Sequence, residues 1–135
     1  THSLTRTVTE MDNIMFCAMT HNPQPLHLDE EFAKGTEYGS RIVNSMFTLG
    51  LLVGVTVGDT TLGTTLGNLG MTEVRFANPV YHGDTLRAVT KVKSMRESKS
   101  RPTAGLIELE HFAFNQSDKE VAYCIRTALM QKRPA

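Results

Sequence analysis

The sequence predicts an α+β protein: a single domain, residues 1–135, in which one long buried helix is wrapped by a curved antiparallel sheet. Three observations carry that expectation. An apolar run, "MFTLGLLVGVTV" at 46–57, is too short for the roughly 20 residues of a bilayer crossing and reads as a core helix. After Gly58 the chain changes to alternating segments separated by turn-forming stretches, the pattern of antiparallel strands. Finally, Gly50, Gly54 and Gly58 recur every four residues on one helix face. Each interior glycine costs about 1 kcal/mol against alanine, which makes sense where a neighbour must approach the backbone closely. The expected neighbour is the sheet.

The elements follow in order. "RTV" at 6–8 favours extended chain, and Thr9 is the expected N-cap of a helix with Glu10 and Asp12 in its first turn. Met11, Ile14, Met15 and Ala18 share a face of that helix. His21-Asn22-Pro23 ends it, because the residue before a proline is pushed out of helical geometry. "THNPQPLHLD", 20–29, is too polar and proline-broken for core and reads as a loop. A short acidic helix from Asp29 to Lys34 and a turn at 35–40 lead to the buried helix, capped by Asn44 or Ser45 and ended by Gly58. "NLGMTEVRFANPV" (68–80) runs as a strand into the turn "YHGD". "TLRAVTKVKSM" (85–95) places Leu86, Ala88, Thr90 and Val92 on one face. A polar connection, "RESKSRPT", precedes a strand at 105–115. The turn "QSDK" then leads to a last strand over 120–133, with Val121, Tyr123, Ile125, Thr127 and Leu129 together.

Composition narrows the function. The 14 Lys and Arg are cancelled by 14 Asp and Glu, so no net field draws in nucleic acid or an anionic membrane. Cys17 and Cys124 stand far apart, with neither a CxxC pattern nor zinc-ligand spacing; free thiols, no metal and a cytoplasmic location are expected. No basic stretch with a short apolar run opens the chain, so no export signal is expected either. A helix swaddled by such a sheet is the hot-dog architecture. Its edge strands need cover, so a homodimer or higher homo-oligomer with a continuous sheet is the expected assembly.

His27 is the first candidate for chemistry. Pro23 and Pro25 stiffen its loop, and an imidazole titrates near neutral pH as a general acid/base must. A lone histidine is more often structural, and the residues alone leave both roles open.

The same loop resembles the signature of the MaoC-like hydratases, hot-dog enzymes that add water across enoyl-CoA thioesters. Their pattern, approximately [ST]-G-D-x-N-P-x-H-x-D, corresponds to Thr20-His21-Asn22-Pro23-Gln24-Pro25-Leu26-His27-Leu28-Asp29. A second, "IVHGM" at the start of the central helix, stands as Ile42-Val43-Asn44-Ser45-Met46. A third, "PVxxGD", stands as Pro79 to Asp84. The resemblance runs through most of the chain in order. It implies that His27 moves the proton of the added water, that the backbone N–H of Ser45 holds the thioester oxygen, and that CoA is part of the substrate with no separate cofactor. The family's aspartate is Asn22, which orients water but cannot accept a proton at ordinary pH. Three readings of Asn22 stay open: lost activity, replacement by His21 or His82, or help from a carboxylate on the substrate. The variant "NPQPLHLD" is similar to mesaconyl-CoA and itaconyl-CoA type hydratases, which handle branched C5 dicarboxylic acyl groups.

Around this core, Asn44 and Gln24 are expected to contact substrate. Arg41 is expected either to meet a substrate carboxylate or to pair with Glu37. Arg96, Lys99 and Arg101 suit the CoA phosphates or, equally, a solvated hairpin turn. His82 and Asp84 read mainly as turn residues. Two other functions compete with hydration. An acyl-CoA thioesterase wants a carboxylate aimed at the thioester, and 44–58 contains none. Asn22 is the best argument for the other, a non-catalytic acyl-CoA-binding protein.

Overall fold

The chain is described over residues 1–134 by a computed structural model. It turns at Thr9 from a two-residue strand, β1 (Arg6–Thr7), into helix α1 (Glu10–Met19). The Thr9 hydroxyl accepts from Asp12 N–H while the Asp12 carboxylate accepts from Thr9 N–H, the reciprocal cap expected from that pairing. The face of α1 is not the expected one. Asn13 and Cys17 are buried, whereas Met11, Ile14, Met15 and Ala18 are exposed.

The loop at 20–29 holds a single turn of helix, α2 (Pro25–Leu28), started by a proline whose missing N–H costs nothing at a first helical position. Helix α3 (Glu30–Lys34) follows, capped by the Asp29 carboxylate on Phe32 N–H. The central helix, α4 (Ser45–Thr60), is capped by Asn44, whose side-chain oxygen accepts from Met46 N–H at 2.9 Å. It passes through Gly58 and closes at Thr61. The left-handed glycine that redirects the chain is Gly63, at φ 78°.

Strands β2 (Thr65–Arg75), β3 (Thr85–Glu97), β4 (Ala104–Phe114) and β5 (Glu120–Gln131) complete an antiparallel sheet in the order β1-β3-β4-β5-β2, curled round α4. Ala88, Ala113 and Ala122 lie opposite one another across β3, β4 and β5, and Leu52 and Val55 of α4 pack into the cluster they form with Leu86 and Cys124. The close approach of helix to sheet therefore comes from small residues in the sheet. The glycine argument is corrected: Gly50, Gly54 and Gly58 lie on the exposed face of α4, and a methyl group at any of them would meet no atom within 4 Å. A four-residue period says that positions share a face, not which face. The β3 pattern also breaks, at a bulge between Val92 and Ser94, and Val92 is 58% exposed. Both faces of β5 are buried over 121–126, so its alternation could not say which set meets the helix.

Candidate active site

The N-terminal end of α4 gathers three separate stretches of sequence around one fully buried amide, Asn13. Its oxygen accepts Asn44 N–H at 2.9 Å. Its nitrogen lies 3.1 Å from the Ile42 carbonyl, 3.0 Å from His82 Nε2 and 3.3 Å from the His27 carbonyl. Two hydrogens are thus shared among three acceptors. Because an amide N–H donates to it, His82 Nε2 is unprotonated. Burial, and then the Arg41 charge, push His82 below the ordinary histidine range.

His27 is half-buried on α2. Its Nδ1 lies 2.8 Å from the Ile42 carbonyl. A carbonyl only accepts, so Nδ1 carries the proton and Nε2 presents its lone pair. Among the described residues nothing hydrogen-bonds to that nitrogen. Asn13 and His27 thus hold the same carbonyl, which ties the histidine loop to the start of α4. The loop braces itself as well: the Asn22 oxygen accepts Gln24 N–H at 3.0 Å, an Asx turn, and the Asn22 nitrogen stays free to donate. Gln24 is exposed and caps α2 with its backbone, not its side chain.

Ser45 opens α4 and lines a cavity of about 300 Å³ with Ile42, Thr48, Tyr38, Glu37 and Asn78. The Asn44 cap takes Met46 N–H, and among the described residues Ser45 N–H has no partner in the chain, so a donor remains at the positive end of the helix dipole. Asn44 itself is 5% exposed, its side-chain oxygen accepting from Met46 N–H and its nitrogen donating to the Cys17 sulfur. Its work is capping, not the expected substrate contact. Arg41 pairs with Glu10 at 3.1 Å and lies 3.6 Å from Glu30, so the expected partner Glu37 is corrected. Cys17 and Cys124 are both free and buried.

Arg96, Lys99 and Arg101 are elsewhere. Strand β3 extends to Glu97, so Arg96 is a strand residue opposite Leu106, whose other neighbour is Leu129 of β5. Leu129 is eight positions along β5 from Val121, which lines the Ser45 cavity. At strand rise that is roughly 27 Å. Asp84 is the expected turn residue, accepting from Tyr81 N–H and from Gln116. His82 and Asn13 are what the sequence reading missed as a pair; a buried amide on an otherwise apolar-looking helix was the available signal.

Fold and site together define a hot-dog domain with a tethered histidine beside the start of its central helix. The chain belongs to the MaoC like domain family, whose profile matches residues 1–111. It is 30% identical over 132 residues to mesaconyl-CoA hydratase of Cereibacter sphaeroides and, also at 30%, to beta-methylmalyl-CoA dehydratase of Chloroflexus aurantiacus. These alignments take in 98% of the chain but only 38% and 37% of those proteins, so the chain spans under two fifths of the relatives' length. Among solved structures, the monoamine oxidase regulatory protein from Archaeoglobus fulgius superposes with a TM-score of 0.88 at 31% identity, covering 97% of this chain and 87% of that one. A Mycobacterium tuberculosis protein described as a double hot-dog superposes at 0.85 with 20% identity, covering 98% and 41%, which supports the fold alone.

Proposed function

We propose that this domain adds water to the double bond of an enoyl-CoA thioester, and catalyses the reverse dehydration. The observation that carries the reading is the His27 ring, held by the Ile42 carbonyl in the tautomer that leaves Nε2 as a base. The thioester oxygen accepts Ser45 N–H, which stabilises the negative charge that gathers there as the β-carbon is attacked. His27 Nε2 takes a proton from water as its oxygen bonds to the β-carbon, and returns that proton to the α-carbon. Asn22 orients the water through its free nitrogen. CoA arrives with the substrate and no separate cofactor takes part. The relatives' names favour a branched C5 dicarboxylic acyl group such as mesaconyl-CoA.

We also infer a homodimer in the cytoplasm. Strand β2 is a sheet edge, exposed along nearly its whole length, and shows Leu66, Leu69, Met71 and Val74 to solvent. No helix of the described residues is long and apolar enough to cross a membrane. The thioesterase alternative fares worse: the sole acid of α4, Asp59, lies in its last turn and is bonded to His2.

Loss of the conjugated-thioester absorbance across a panel of enoyl-CoAs tests the reading. His27→Ala is expected to lower the rate by about 10²–10⁴-fold. Equal rates for wild type and variant overturn the assignment, and free-thiol release without hydration replaces it with hydrolysis.

A further inference from the structure

A second cavity lies at the other end of α4, between that helix and the edge strand. It measures about 310 Å³ and is lined by Val53, Val57, Leu66, Asn68, Thr61 and Arg126. Arg126 is 2% exposed. Its Nε donates to His111 Nε2 at 3.1 Å and its Nη1 to the Asn68 oxygen at 2.8 Å, while Nη2 is buried with no partner. The arginines that do form ion pairs are Arg6, Arg41, Arg75 and Arg87; among the described residues no carboxylate pairs with Arg126. A buried cation is ordinarily matched by an anion, because taking a charge out of water costs several kcal/mol.

We propose that this cavity binds an aliphatic carboxylate, drawn by the charge of the Arg126 guanidinium in its wall, with its apolar part against Val53, Val57 and Leu66. One cation in a mostly apolar wall suits a monoanion with a hydrocarbon body. A phosphate dianion would be only half neutralised by the single cation of the lining. The ligand has two sources, a free acid or the far end of a long acyl chain carrying a terminal carboxylate. Val53 and Val57 are eight and twelve residues along α4 from Ser45, or about 12 and 18 Å at helical rise. A C5 acyl group held at Ser45 does not reach.

Isothermal titration of the full chain with octanoate, and with octanamide as the neutral isostere, tests the site without reference to catalysis. Octanoate is expected to bind at least about tenfold more tightly than the amide, the scale of one charge-assisted hydrogen bond. Arg126→Met is expected to erase that preference. Val57→Phe, which fills the cavity and keeps the cation, is expected to weaken octanoate by a similar factor. Acid and amide binding alike overturns the proposal, as does octanoate binding unchanged in the variants. Should Arg126→Met lose its fold by circular dichroism, Val57→Phe decides alone.

One further arm separates the sources and is the only one resting on the hydratase reading. Long enoyl-CoAs of equal length are compared with and without a terminal carboxylate. A lower KM for the acid that vanishes in Arg126→Met identifies the acyl tail. Equal KM values beside intact octanoate binding identify a free acid.

Discussion

At the N-terminal end of α4, Asn13 spreads one amide over four partners from three stretches of chain, and those partners are in turn engaged. At the C-terminal end the buried polar groups form a file instead. Arg126 Nε–H donates to His111, His111 Nδ1 lies 2.8 Å from the Thr90 hydroxyl, that hydroxyl 2.6 Å from His2 Nε2, and His2 Nδ1 2.7 Å from Asp59. Only one placement of hydrogens satisfies every step with both histidines neutral: each donor faces away from Arg126, toward the half-exposed acid. The first arrangement is closed, so it locks a loop and leaves two groups, His27 Nε2 and Ser45 N–H, free for a ligand. The second is directional, and its cationic end keeps an unused donor. A cross-linked hub suits positioning; a file with an open end suits reception.

The largest expected effect breaks the hub. Asn13→Ala strips partners from Asn44 N–H, the Ile42 carbonyl and His82 at once. Each buried group left unpaired costs about 1–3 kcal/mol, and some will find water, so a loss of about 3 kcal/mol is expected from urea unfolding. The His27 loop should loosen with it. A loss below about 1 kcal/mol would show that the loop is held by its own prolines and Asx turn, and that the two ends of α4 differ less than their hydrogen bonds suggest.

Acid probes the other end. Burial, then the Arg126 and His2 charges, hold His111 at about 4, against 6.5 for the ordinary group. Between those values the unfolded chain binds the proton and the folded chain does not, so stability falls as pH drops from about 6.5 to 4. The total from His111 is about 3 kcal/mol. His111→Gln can keep both hydrogen bonds, its oxygen accepting from Arg126 and its nitrogen donating to Thr90, without titrating. Thermal melts across that window should then flatten. An undiminished slope in the variant would move the acid sensitivity to the first end, where His82 is shifted in the same direction.

Much of the architecture was legible because local chemistry and global fold agree. The Thr9 cap, the Asp29 and Asn44 helix starts, the turns at 81–84 and 116–119, and strands β3 to β5 each follow from residues next to one another, whereas the strand expected at 68–80 runs as Thr65–Arg75. The placement of His27 on a proline-started turn and of Ser45 at a helix start was legible for the same reason, whereas the roles expected of them came from the family resemblance. What stayed hidden depends on orientation. Met11, Ile14 and Met15 suggested the buried side of α1, yet the buried side carries Asn13, because four partners outweigh the cost of burying one amide. Likewise, nothing near Arg126 in sequence announces His111, fifteen residues away and brought beside it by register alone. That Arg96, Lys99 and Arg101 stand a strand's length from Ser45 was hidden for a matching reason: a hairpin tip carries no sign of which end it occupies.

The glycine stripe offers the smallest effect and the sharpest discrimination. It runs along α4 between the two ends, exposed, with open space where each methyl group would be. If that face meets only water, Gly54→Ala relieves the helix of an entropic penalty and stabilises the chain by about 1 kcal/mol, raising Tm by about 4 °C for a domain of this size. The oligomer mass by light scattering should not move. If a second copy seats its backbone on the stripe, the added methyl group intrudes into that contact, so the melt falls and the mass drops toward the monomer. The first outcome leaves the β2 edge as the dimer contact and both ends of α4 complete within one chain. The second makes the face between them part of the assembly, and accounts for glycines that one chain by itself does not require.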